Sequence, residues 1–118
     1  MISRGEILII RFPYQDGGAG KNRPVVVVQS DANNRRLQNT IVAMITGNAA
    51  RAGTEATQFL VDPNSVDGKS SGLRGASAVK CENLYTVRQI DIHRPIGRLT
   101  PTLIVKLDAC LKAALELK

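Results

Sequence analysis

Apolar positions fall in short, nearly unbroken runs along most of the chain and switch to a helical period near its end. Ile7 to Phe12 is the first run, and its continuity predicts a strand covered on both faces, ended by Pro13. Tyr14 to Asn22 (YQDGGAGKN) has three glycines and no period, so a loop is expected there. Pro24 to Val28 predicts a second buried strand with the proline at its first position, where no ladder donor is missed. Asp31 to Asn39 reads as a polar connection with room for a helical turn, and Thr40 to Thr46 as the third strand. Gln58 to Val61 gives a short strand stopped by Asp62 and Pro63. Asn64 to Ala76 is loop-like, and Ser77 to Leu84 and Tyr85 to Ile92 each fit a strand. Five or six short strands at this spacing predict a strongly curved sheet or small barrel.

Thr100-Pro101 then starts a helix, with a hydroxyl cap followed by a proline whose missing N–H costs nothing. Leu103, Ile104, Leu107, Cys110, Leu111, Ala114, Leu115 and Leu117 line one face; Asp108, Lys112 and Glu116 line the other, with Val105 as the exception. This helix is expected to pack on the sheet, making residues 1–118 one α+β domain.

Composition narrows the chemistry. Four aromatics and no Trp leave an aliphatic core and little for bases to stack on. A net charge of +6, with ten arginines among sixteen basic residues, favours a polyanionic partner, because arginine pairs with phosphate through two parallel hydrogen bonds. Cys81 and Cys110 lie far apart without metal-ligand spacing, and His93 is the single histidine, so no metal and no cofactor are expected. No apolar run approaches the ~20 residues that span a bilayer, and no signal peptide precedes Arg4; a reduced, cytoplasmic protein is expected.

Several motifs occur in an order that carries a resemblance. Arg4-Gly5-Glu6 precedes the first strand, and a glycine-rich loop leads to Arg23-Pro24-Val25-Val26-Val27-Val28 and Gln29-Ser30-Asp31. Asn33-Asn34-Arg35, Thr40-Ile41-Val42-Ala43 and Ile45-Thr46 come next. Ser77 to Thr86 (SAVKCENLYT) and Ile96-Gly97-Arg98-Leu99 complete the set. In this order they resemble the MazF/PemK toxin family over essentially the whole chain. The resemblance implies an SH3-like, strongly curved antiparallel β-barrel with a C-terminal α-helix, working as a homodimer. It also implies a toxin of a type II toxin–antitoxin system that cuts single-stranded RNA without a metal, leaving 2′,3′-cyclic phosphate and 5′-hydroxyl ends. The partner it implies is a cognate antitoxin with an acidic disordered segment.

Such a reaction needs a group to take the 2′-hydroxyl proton, charge on the pentavalent phosphate, and a proton for the leaving 5′-oxygen. With one histidine, a histidine pair is excluded, leaving arginine, threonine and a carboxylate. The resemblance places Arg23 in the active site, where a fixed guanidinium suits electrostatic stabilisation better than proton transfer. Thr46 matches the second active-site position, its hydroxyl bonding a phosphate oxygen. Lys80 and Glu82, at i and i+2 of a strand, point to one face and match the family's basic-Cys-acidic triplet. Partial burial is expected to tune Glu82 toward neutrality as the proton carrier. Gln15, Asp16 and Lys21 fall in the loop expected to gate an RNA groove. Tyr85 replaces a family arginine and offers a ring to a base; Gly17 stands where one branch has a histidine.

Two other classes share the fold expectation: CcdB-type toxins, which poison DNA gyrase without cutting, and a non-catalytic basic RNA-binding module. The Arg23/Thr46 pairing separates the first reading from the gyrase poison, and fold likeness alone does not separate it from the non-catalytic module. The pairing requires the two side chains to lie on one face, within reach of a single phosphodiester.

Overall fold

A computed structural model describes residues 2–12 and 21–118. The expectations for Gln15, Asp16 and Gly17 lie outside the described residues. Six strands, β1 (Glu6–Phe12), β2 (Lys21–Val27), β3 (Asn39–Thr46), β4 (Gln58–Val61), β5 (Ser77–Arg88) and β6 (Ile92–Arg98), form one antiparallel sheet. Its order is β4-β5-β3-β2-β1-β6. Between β2 and β3 lies α1 (Asp31–Arg36), capped by the Ser30 hydroxyl, which accepts from the Asn33 amide at 3.2 Å. The C-terminal α2 (Pro101–Leu115) starts on Thr100 as expected, with Pro101 in its first turn.

Alternation along the central strands sends side chains to two cores. Ile7, Val26, Ala43, Ile45 and Val79 meet Leu103, Leu107 and Cys110 of α2, while Leu8, Ile10, Val25, Val27 and Val42 fill the other face. The continuous apolar runs are thus covered on both sides. Leu115 and Leu117 depart from the expected helix face. Both are exposed because α2 ends at Leu115, and Glu116 turns the chain with a left-handed φ of 59°.

Three features differ from the sequence expectation. Pro24 is the fourth residue of β2, not the first. The ladder to β3 begins only at Val25, opposite Met44, so Pro24 sits where β2 is still open on that side and no donor is required. The two expected late strands are one, β5, bent by a bulge: Ala43 pairs with Leu84 and Met44 with Lys80, which leaves Cys81, Glu82 and Asn83 without partners in β3. The strand ends in a 3₁₀ turn at Gln89–Asp91, and β6, not anticipated, follows as an edge strand on β1. An edge tolerates its Pro95 and Gly97.

Closure comes from the 62–76 segment. The Arg98 amide donates to the Ser70 carbonyl at 3.0 Å, and a Cβ at Gly97 would overlap the backbone of Ser71. The segment that leaves β4 on one edge thereby meets β6 on the other, curling the sheet into a half-barrel. Leu107 is fully buried at the centre of the helix–sheet core. Leu107→Ala should lower unfolding free energy by about 2–5 kcal/mol in denaturant titration.

Candidate functional site

The bulge in β5 and the end of β3 together build a polar cleft of about 260 Å³. It is lined by Thr46, Asn48, Arg51, Glu55, Gln58, Lys80 and Glu82. Met44, Lys80 and Gln58 are direct ladder neighbours across β3, β5 and β4. Lys80 therefore shares its face with Thr46, two residues beyond Met44. Cys81 between them turns the opposite way, fully buried in the core under α2, and its amide donates to the Thr57 carbonyl at 2.9 Å. This anchor lets Lys80 and Glu82 open into the same cleft.

Arg23 is exposed on β2. Alternation puts it on the face of Val25, and Val25 lies directly opposite Met44. Arg23 and Thr46 are each two residues beyond that last ladder pair, on the same face of the sheet. Lys21, also exposed, is two residues farther along that face of β2. The side chains of Arg23, Arg51 and Lys80 form no ion pair or hydrogen bond with the described residues. The Thr46 oxygen accepts from the Asn48 amide at 3.2 Å, which leaves its O–H to donate elsewhere.

Glu82 behaves differently from the expectation. The Thr57 hydroxyl donates to one carboxylate oxygen at 2.9 Å and the Gln58 amide to the other at 2.7 Å. Burial pushes the carboxyl up. Hydrogen bonds from its own backbone amide, Gln58 and Thr57, with the nearby Lys80 charge, more than offset that and hold it below the ordinary glutamate range. Partial burial does not tune Glu82 toward neutrality, because a bulge on the strand exposes it to these donors. At neutral pH it is an anion held in a fixed orientation.

Tyr85 lies past the bulge, opposite Val42, in a separate depression with Ile10, Arg11, Thr86, Val87, Arg88 and Asp91. It is not brought to the Thr46–Glu82 cleft. The cleft residues that sequence reasoning missed are Asn48, Arg51, Glu55 and Gln58. The segment directly after Thr46 (GNAARAGTEA), small residues interrupted by Asn48, Arg51 and Glu55, was the available signal for the first three. Among the described residues no group of three His, Cys, Asp or Glu side chains could hold a metal ion. Among the described residues no helix is long and apolar enough to cross a membrane.

A curled sheet of this order, backed by one terminal helix and carrying a polar cleft of mixed charge at the ends of its middle strands, is shared with solved toxins. A solved Mycobacterium tuberculosis toxin, MazF-mt6, superposes with a TM-score of 0.75 at 27% identity, over 96% of this chain and 98% of that one. An endoribonuclease from Mycobacterial species, solved with its cognate antitoxin, shares the fold with a TM-score of 0.78 at 21% identity, over 100% of this chain and 98% of that one. In sequence, Endoribonuclease MazF6 of Mycobacterium tuberculosis is 31% identical over 119 residues, 99% of each chain. The model of the PemK-like, MazF-like toxins of type II toxin–antitoxin systems matches residues 3–115, and the chain belongs to that family.

Cys81, flanked by Lys80 and Glu82, is not a nucleophile. Burial, with the Cys110 and Glu82 charges, pushes its thiol up to about 12. Native protein at pH 8 should therefore leave Cys81 unmodified by iodoacetamide, with labelling by mass spectrometry appearing only on denaturation.

Proposed function

We propose that this protein is the toxin of a toxin–antitoxin pair and an endoribonuclease that cuts single-stranded RNA by transesterification, without a metal. Its ends are a 2′,3′-cyclic phosphate and a 5′-hydroxyl. It acts in the cytoplasm as a homodimer and is neutralised by an antitoxin whose acidic disordered segment covers the RNA groove. Family membership and relatives named as endoribonucleases support this reading. So does the placement of Arg23 and Thr46 on one face.

The observation that carries catalysis, as opposed to binding alone, is the Glu82 carboxylate. A surface built only to hold a polyanion loses affinity by presenting a fixed negative charge to it. Here two side-chain donors keep that charge in place beside Lys80 and Thr46. In our reading, ionised Glu82 takes the proton from the 2′-hydroxyl, and the 2′-oxygen attacks phosphorus. The Arg23 guanidinium and the Thr46 O–H hold the developing charge on the phosphate oxygens, and Lys80 supplies a proton to the leaving 5′-oxygen. Thr57 and Gln58 fix the direction of the carboxylate. A gyrase poison needs none of these groups.

Purified protein incubated with a long single-stranded RNA in EDTA should yield fragments ending in cyclic phosphate. Intact RNA, or fragments with 3′-hydroxyl ends, would reject the reaction. Arg23→Ala should cut about 10²–10³-fold more slowly while still folding and pairing. Because the folded carboxyl titrates below its ordinary value, its anion persists as pH falls and is lost only below that range. The acid limb of the rate profile should thus lie below the ordinary glutamate region. Gln58→Met removes a donor to the anion and should move that limb to higher pH, with circular dichroism confirming the fold; an unmoved limb would argue against Glu82 as the base.

A further inference from the structure

The β2–β3 ladder stops at Val25, so among the described residues 21–24 are separated by a notch from the end of β3 at Thr46 and Gly47. Arg23 and Thr46 face one side of this notch. A second, larger cleft of about 650 Å³ lies on the opposite face, and Asn22, Pro24 and Gly47 beside the notch are part of its lining. Its apolar floor is Ile9, Pro24, Leu73 and Ile96, and its charged groups are Arg74 and Arg94. Both arginines are exposed, and their side chains make no ion pair or hydrogen bond with the described residues. The wall is built into the fold. Gly72 has a φ of 75°, and a Cβ there would overlap the Ile96 carbonyl, so this segment packs backbone to backbone on β6.

Two uncompensated guanidiniums around an apolar floor suit a nucleotide, with phosphate on the cations and base against the carbons. An acidic peptide would satisfy the cations. A nucleotide also explains why the cleft is lined by Asn22, Pro24 and Gly47, the chain neighbours of Arg23 and Thr46. We infer that this cleft binds an unpaired nucleotide adjacent to the scissile linkage in the same RNA strand, with Arg74 and Arg94 on its phosphate. The assignment rests on the reading of the Arg23–Glu82 cluster as an RNA-cutting site. It adds an extended footprint that turns over the end of β3.

The test uses fluorescence anisotropy with random-sequence 2′-O-methyl oligoribonucleotides, which cannot be cleaved, of three and of eight nucleotides. Lengthening should tighten binding to the wild type by about tenfold or more, the scale of one stacked or phosphate-paired nucleotide. In the Arg74→Ala/Arg94→Ala double variant the gain should fall below about threefold, with the short oligonucleotide held as by the wild type. Gly75→Leu should act similarly by occupying the cleft. Gly75 lines it, and a Cβ there meets nothing within 4 Å, so the fold tolerates the change. A full length gain in both variants overturns the subsite. So does a double variant whose association state in sedimentation changes while the gain remains, because the cleft then belongs to a protein contact. Wild-type protein that binds neither oligonucleotide overturns it as well. Arg23→Ala separates the two ideas: it should weaken both lengths alike and slow cutting of long RNA about 10²–10³-fold. Undiminished cutting by that variant, beside a length gain lost in the double variant, removes the active-site reading and leaves a nucleotide-binding cleft.

Discussion

At Gly97 the backbone of the last strand lies against the backbone of Ser71, with no room for a side chain between them. Much else depends on this contact. It draws the segment leaving β4 onto β6, two strands at opposite edges of the sheet, and the Arg98–Ser70 hydrogen bond fixes it there. Curling hides edges that would otherwise pair with other chains. It also encloses the aliphatic core beneath α2, which a chain this poor in aromatics must assemble from Val, Ile and Leu. The same closure raises the wall that carries Arg74 opposite Arg94.

The second determinant is the three-residue bulge in β5. Without it, Leu84 would share the face of Lys80. With it, Leu84 packs into the core and Tyr85 crosses to Val42. Cys81 acts as a peg, sunk into apolar surroundings, so that its two neighbours are held by the core though both reach solvent. Gln58, the first residue of β4, and Thr57 just before it then meet the carboxylate of Glu82. Core packing and cleft geometry share one anchor point.

Strands β1 to β4 and α2 were legible because each is a run or a period that burial alone dictates. β6 was not. Ile92 to Arg98 carries Pro95 and Gly97 in place of a run, and it is a strand only because β1 offers its free edge. The bulge was hidden for a related reason: register belongs to two strands at once, and β5 taken alone reads as two pieces. Arg23 and Thr46 could be set on one face in advance through their motif. The state of Glu82 could not, since the donors that lower its carboxyl come from a strand 24 and 25 positions away. Leu115 and Leu117 followed the helical period past the point where the helix stops.

Arg4 ties the beginning of the chain to its end. Its amide donates to Asp31 at 2.6 Å, its Nε to the Val28 carbonyl at 2.9 Å, and its Nη2 to Asp108 at 2.8 Å, across 104 positions of sequence. Next to it, Glu6 pairs with Arg98 in the β1–β6 ladder. A ribosome making this protein releases the first strand long before its edge partner exists. Contacts of such high sequence separation slow folding, because long loops must close before they form. The curled sheet, and with it the cleft that Arg94 and Arg74 line, must wait until translation is nearly finished. A copy unfinished beyond Glu82 holds all the residues of the Arg23–Glu82 cluster and still lacks β6 and α2, the edge strand and the helix that complete the sheet and its core.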